Sequence, residues 1–236
     1  MADRPVVVAF DVLGTLYSLE PLRARMVQAG LPQDSLQMWR ARTLRDGFAI
    51  TLAGDFRTFH QVAESTLEQM LLERNLDTAP ARLERIMDGF EELELHPDAR
   101  QALQTLKEAG MRLVLLTNCS SELSRQLMRK SGLNELIERD FSIDEVGFWK
   151  PHPASYRHVA AQLTVMHHRV ALVAEHPWDI MGAHRAGLVT GWVSRQTTRF
   201  PDAMGDYPDV AGSSLGEVAT DLLELPTREP EEMIYL

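Results

Sequence analysis

Val6-Val7-Val8-Ala9-Phe10-Asp11-Val12-Leu13-Gly14-Thr15-Leu16 sets five apolar residues in a row against an aspartate and a Gly-Thr turn. A short, β-branched apolar run bounded by turn residues reads as a buried strand of a parallel sheet. Ligands of open α/β sheets lie just past the carboxyl ends of the strands, so Asp11 falls where chemistry is expected. Gly14 is free to turn sharply there, and Thr15 supplies a hydroxyl. A carboxylate in this place can act as a nucleophile, forming an ester that water later hydrolyses. The plainer alternative is an aspartate that caps a turn after an ordinary strand.

Beyond Leu16 the pattern turns helical for a long way. Leu19, Leu22 and Met26 recur at helical spacing between Pro21 and Gly30, and a second, arginine-rich helix is predicted from about Asp34 towards Leu52. Phe56, Phe59, Ala63, Leu67 and Met70 mark a third helix and 81–93 a fourth, with no strand expected between Ser18 and Glu92. From His96 the rhythm alternates. A helix face of Ala99, Ala102, Leu103 and Leu106 stops at Gly110, and the strand 112–116 runs into Thr117-Asn118-Cys119-Ser120. A helix closing at Gly132 leads to a short strand at Phe141-Ser142, ahead of Trp149-Lys150-Pro151. A helix at 154–163, a strand at 170–173, the run from Ala174 to Asp179, a helix ending at Gly187 and a last strand at 190–194 follow. Strands alternating with helices imply right-handed parallel connections, hence a doubly wound, Rossmann-like α/β sheet with an inserted helical cap. The division expected is a core of 1–16 and 93–225, a cap of 17–92, and a loose tail of 226–236.

Composition narrows the function. Among 236 residues, 24 Lys and Arg stand against 34 Asp and Glu, a formal net charge of -10. That balance disfavours a nucleic-acid or membrane-surface partner, although a few local cations suffice for a small anionic substrate. Cys119 is the only cysteine, so no disulfide forms within the chain, and a cytoplasmic location is expected. The charged Met1-Ala2-Asp3-Arg4-Pro5 leads to the expectation of no signal peptide, and no apolar stretch approaches the ~20 residues of a membrane span.

Four polar clusters fall at the ends of predicted strands: Asp11 with Thr15, Thr117 with Asn118, Lys150-Pro151, and Glu175 through Asp179. A parallel sheet brings those ends to one crevice. With these motifs the chain resembles the haloacid dehalogenase superfamily, and within it the L-2-haloacid dehalogenases of type II, over nearly its whole length. Asp11-Val-Leu-Gly-Thr15-Leu looks like the nucleophile motif and Leu116-Thr117-Asn118 like the second. Lys150-Pro151 with Tyr156 looks like the third, and Val173 through Asp179 with Gly182-Ala183 like the fourth.

The resemblance implies that Asp11 attacks the carbon bearing the leaving group and that water hydrolyses the resulting aspartyl ester without a cofactor. It further implies that Lys150 holds Asp11 ionised and that Asp179 orients Lys150 and the hydrolytic water. Tyr156 would lie near the leaving group or the ester, and Trp178 beside the halide. Thr117 and Asn118 offer a hydroxyl and an amide to an anion.

Some positions depart from the pattern. Leu13 stands where superfamily phosphatases place a second acid, which argues against phosphomonoester hydrolysis. Aligning Trp39-Arg40 with the family's Trp-Arg pair puts Ile50 where a substrate-binding arginine is expected, leaving Arg42 or Arg45 to substitute. Ala174 and His176 replace a Ser and an Asn. Glu175, four residues before Asp179, raises a second reading, a magnesium-dependent phosphatase or phosphonatase binding the metal through Asp11, Glu175 and Asp179. A third is a diverged, non-catalytic relative. Cys119 reads as an inert buried thiol, and His96, His152, His167, His168 and His184 as surface or packing residues. The apolar faces of the cap helices suggest a homodimer.

Overall fold

In a computed structural model of the chain, residues 2–195, 197, 199–205 and 208–227 are described. Of the tail expected from 226, all but Pro226 and Thr227 lies outside them. In chain order come β1 (Val7–Phe10), β2 (Tyr17–Ser18), α1 (Glu20–Gln28), α2 (Ser35–Leu52), α3 (Phe59–Leu72), α4 (Pro80–Met87) and β3 (Glu94–Leu95). There follow α5 (Ala99–Glu108), β4 (Arg112–Thr117), α6 (Ser121–Lys130), β5 (Arg139–Ser142), α7 (Pro153–Leu163), β6 (Val170–Ala174), α8 (Pro177–Arg185), β7 (Val189–Val193), β8 (Val210–Gly212) and α9 (Leu215–Glu224).

Six strands form one parallel sheet in the order β5-β4-β1-β6-β7-β8. β1 lies between β4 and β6, with Phe10 level with Leu115 on one side and Val173 on the other. The chain thus winds outward in both directions from β1, and the carboxyl ends of β1, β4 and β6 meet where the winding reverses. Every residue of β1 is buried because helices cover both faces. Val8 and Phe10 pack towards α5, α6 and α9, while Val7 and Ala9 pack towards α7 and α8, as a two-residue side-chain period demands.

Three features differ from the sequence reading. Val189–Val193 is not the last strand: β8 and α9 follow it. The fourth helix stops at Met87 and continues to Glu92 as a tighter 3₁₀ turn. A two-residue antiparallel ribbon, β2 with β3, pairs Tyr17 with Leu95 where the chain enters and leaves the helical layer α1–α4. No helix among the described residues is long and apolar enough to cross a membrane.

A buried aromatic residue helps fasten the helical layer to the sheet. Trp149, fully buried, reaches from the loop before α7 into the groove between α2 and α3. Its indole N–H donates to the Arg57 carbonyl at 2.8 Å, its backbone N–H donates to Thr51 Oγ1 at 3.2 Å, and its ring lies 5.9 Å from that of Phe59. Gly47 in mid-α2 makes room: a Cβ there would overlap the indole ring. An alanine normally stabilises a helix interior relative to glycine by about 1 kcal/mol. Here overpacking is expected to reverse the sign, with Gly47→Ala lowering stability by about 1–3 kcal/mol in urea unfolding. A variant as stable as the parent would show that the Trp149 contact is not tight.

Candidate active site

Each side chain of the site sits at the end of an element because the parallel sheet delivers it there. Asp11 follows β1, and its backbone N–H donates to the Val173 carbonyl at 3.0 Å, continuing the ladder by one residue. Gly14 then turns with a φ of 94°. A side chain at that position would run into Glu175, Arg40 and His176. Thr15 Oγ1 donates to Asp11 Oδ2 at 2.8 Å and accepts the Glu175 backbone N–H at 3.0 Å, so one hydroxyl ties the first strand's loop to the fourth motif. From outside, the Arg195 guanidinium donates to the Thr15 carbonyl at 2.9 Å while pairing with Asp98 at 3.0 Å. His96 Nε2 lies 3.0 Å from the Gly14 carbonyl.

Lys150 lies at the centre. Fully buried, its ammonium donates to Asp11 Oδ1 at 2.8 Å, to Asp179 Oδ2 at 2.6 Å and to the Leu116 carbonyl at 2.9 Å, which uses all three N–H bonds. Burial by itself raises the Asp11 carboxyl, but the Lys150 ammonium and the bonds made to the carboxylate outweigh it and hold Asp11 below the usual range. Burial lowers the ammonium, but the two carboxylates outweigh that and raise Lys150. Asp179 is pushed up, first by burial and then by the neighbouring Asp11 charge, against the pull of Lys150. Its second oxygen accepts the Tyr156 hydroxyl at 2.6 Å, and burial with the Asp179 charge drives that phenol well above its ordinary value. Asn118 Oδ1 accepts the Lys150 backbone N–H at 3.0 Å, fixing the lysine loop to the end of β4.

A cavity of about 40 Å³ opens over Asp11, lined by Leu13, Thr117, Asn118, His176 and Trp178 from the sheet side. Leu19, Trp39, Arg40, Thr43, Leu44 and Phe59 line it from the helical layer. The walls are mostly apolar. Thr43 Oγ1, at the cavity wall, is buried without a hydrogen-bond partner. His176 stacks on Trp178 at 5.2 Å, and its Nε2 lies 3.0 Å from the Leu13 carbonyl and 3.4 Å from Asp11 Oδ2. Burial, reinforced by Arg40, pushes the imidazole down, so it is neutral near pH 7.

Several residues singled out from the sequence lie elsewhere. Arg42 extends to Glu73 at 2.7 Å, and Arg45 to the neighbouring Asp46 at 2.7 Å; neither lines the cavity. Ile50 packs into the cluster around Trp149, so position 50 does not face the substrate space either. Arg40 is the cation that does. Its guanidinium lies 2.5 Å from Glu175 Oε1 and 2.8 Å from His176 Nε2. The signal was available in the helix period. Leu36, Trp39, Thr43 and Gly47 mark the buried stripe of α2; Arg40 flanks it and Arg45 lies opposite.

Tyr156 stands behind Lys150, bonded to Asp179, and not against the cavity. Asp179 is wholly buried, with one oxygen bonded to Lys150 and the other to Tyr156, and it does not line the cavity. Cys119 is buried, and burial pushes its thiol up to about 12. His96, half-buried, packs against the loop after β1 through the Gly14 carbonyl, and His152 caps α7 by accepting the Ala154 N–H. Among the described residues, no three His, Cys, Asp or Glu side chains gather into a metal site. Of the three carboxylates in the magnesium reading, Asp11 and Asp179 each have one oxygen paired with Lys150, and Glu175 has one paired with Arg40.

Removing the ammonium strands two buried carboxylates. Lys150→Met is expected to cost about 3–5 kcal/mol in urea unfolding at pH 7. The Asp11 contribution to the pH dependence should also change sign. In the parent, Asp11 is ionised more readily folded than unfolded, so its contribution is present above the unfolded value of about 3.9 and is lost as pH falls through the folded one. In the variant the stranded carboxyls bind protons more tightly folded than unfolded, so stability should rise on going from pH 7 to pH 5. A variant that loses less than about 1 kcal/mol would contradict the burial of a charged triad.

Comparisons with known proteins identify the family. A profile of haloacid dehalogenase-like hydrolases matches residues 6–187. The haloacetate dehalogenase H-2 of Moraxella sp. (strain B) is 28% identical over 204 residues, spanning 86% of this chain and 91% of that protein. The (S)-2-haloacid dehalogenase 4A of Burkholderia cepacia is 29% identical over 227 residues, 95% of each chain. The L-2-haloacid dehalogenase structure from Xanthobacter autotrophicus, at 23% identity, superimposes with a TM-score of 0.82 over 92% of this chain and 97% of its own, a likeness of fold. With Asp11, the buried Lys150 and Asp179 brought together at one end of the parallel sheet, the chain belongs to the haloacid dehalogenase-like hydrolases.

Proposed function

We propose that the protein is a metal-independent dehalogenase of small 2-haloacids that works through an ester on Asp11. The observation that carries this reading is an Asp11 carboxylate held ionised by Lys150 at the floor of a small, mostly apolar cavity. One Asp11 oxygen adds to the carbon bearing the halogen; the carbon–halogen bond breaks and the halide departs with its electron pair. Water then adds to Asp11 Cγ, and the bond from Cγ to the alkyl oxygen breaks. The hydroxy acid leaves carrying the former aspartate oxygen and one proton of the water, while the other proton passes to solvent. Lys150 stabilises the charge that builds on the Asp11 oxygens during that second step.

In-line displacement places the leaving group away from Asp11, towards the helical layer that carries Arg40. A guanidinium there stabilises the departing halide. The substrate carboxylate falls to the sheet side, where the Asn118 amide NH₂ is free because its carbonyl oxygen is the atom bound to Lys150. The names of the two relatives, a haloacetate dehalogenase and an (S)-2-haloacid dehalogenase, support a 2-haloacid, and the narrow cavity supports a small one. Magnesium chemistry is disfavoured because the candidate metal oxygens are matched by cations and Leu13 offers no proton to a leaving alcohol.

Halide release from bromoacetate and (S)-2-chloropropionate is the decisive measurement. Asp11→Asn is expected to abolish it, and a single turnover in ¹⁸O-water to label the Asp11 carboxylate. No halide release across a panel of two- to four-carbon haloacids would sink the proposal. Arg40→Gln should reduce kcat/KM by about 10²-fold or more, as loss of a transition-state donor does. Arg42→Gln and Arg45→Gln should stay within about twofold, the range of exposed charges far from the chemistry. Steady-state kinetics of the three variants check the assignment.

A further inference from the structure

Arg40 is the single cation among the described residues lining the cavity over Asp11, and it is not waiting there unpaired. Its guanidinium bonds Glu175 Oε1 at 2.5 Å, with Glu175 almost wholly buried, and it also touches both ring nitrogens of His176. Glu175 does not itself line the inner cavity. It lines two outer ones, of about 260 and 320 Å³, and Arg40 lines both of those as well. Arg40 is the one residue that lines all three of these cavities, so its side chain is part of the wall between the reaction space and the outside, with Leu44, His176 and Trp178 beside it, and Glu175 meets it on the outer side. Glu175 is held in place by its backbone N–H on Thr15 Oγ1 and by the Trp192 indole N–H on its carbonyl.

A halide freed by the displacement step is left in a mostly apolar space against a guanidinium, where desolvation strengthens their attraction. Such an ion leaves slowly unless something takes its place. The Glu175 carboxylate is an anion of the same charge, already within reach of the same guanidinium nitrogen. We propose that Glu175 is the halide-releasing residue: it competes with the product ion for Arg40 and returns that side chain to the resting pair, as the ion passes the Arg40 wall into the outer cavities. Glu175 acts through Arg40 and is in this sense a positioning residue. The idea rests on the dehalogenase reading above, since it presumes a halide product.

The test is bromide binding to the full chain, measured calorimetrically at constant ionic strength with no substrate present. Glu175→Gln and Glu175→Ala are expected to bind bromide about tenfold more tightly than the parent, the scale of one competing charge-assisted hydrogen bond. The gain should vanish when Arg40→Gln is added. In turnover, both variants should keep the rate of the first bromide-forming step in a rapid-mix burst while kcat falls and bromide inhibition strengthens. Bromide affinity within twofold of the parent in both variants, or tightening that persists without Arg40, overturns the proposal. Because the binding measurement needs no turnover, the two readings fail separately. Tighter bromide binding in a chain that dehalogenates nothing would sink the dehalogenase and leave the competition for Arg40. Unchanged binding in an active enzyme would do the reverse.

Discussion

One ammonium group, taken wholly out of water and set between two carboxylates, governs the rest of the molecule. A buried charge is costly unless every polar contact around it is met, and Lys150 meets all three of its own with Asp11, Asp179 and the Leu116 carbonyl. These partners come from the ends of β1 and β4 and from the first turn of α8, so the triad demands that distant segments be placed to within a few tenths of an ångström. Tyr156 on Asp179, Thr15 on Asp11 and Asn118 on the lysine backbone serve that demand. The core chemistry and the winding of the sheet are in this sense one constraint, because only the point where the strand order reverses brings those ends together.

The helical layer adds what the sheet lacks, a cation and an apolar roof. Trp39, Leu44 and Phe59 close the cavity, and Arg40 is the group through which the layer reaches the reaction space. The fourth motif meets it with Glu175 and His176, which engage Arg40 through a 2.5 Å ion pair and ring-nitrogen contacts. The side chains that face the cavity from the layer and from the fourth motif thus meet where α2 comes against the start of α8.

Most of the architecture and the charged triad were legible in the residues alone. Asp11 and Lys150 each follow a recognisable strand or motif, and strand ends converge for topological reasons that need no side-chain detail. The choice among Arg40, Arg42 and Arg45 was harder because it depends on how α2 is rotated, which the spacing of Leu36, Trp39, Thr43 and Gly47 encodes but the arginines themselves do not. Tyr156 was placed by its distance from Lys150 along the chain, and that distance says nothing of whether the ring lies before or behind the lysine. β8 escaped notice since three residues after a polar loop carry no periodic signal. α9 did carry one: Ser214 accepts the Glu217 N–H ahead of Leu215, Val218, Ala219 and Leu222 at helical spacing.

Trp149 precedes Lys150 directly, and its ring is sunk in the groove beside Gly47. The two layers consequently cannot be treated as interchangeable modules. A roof grafted from a relative would have to supply both a vacant spot for an indole and a carbonyl to receive its N–H, or the transplanted enzyme would misplace its own lysine. Libraries built to widen the substrate range of this scaffold are better confined to side chains facing the cavity than extended to the seam where that tryptophan is housed.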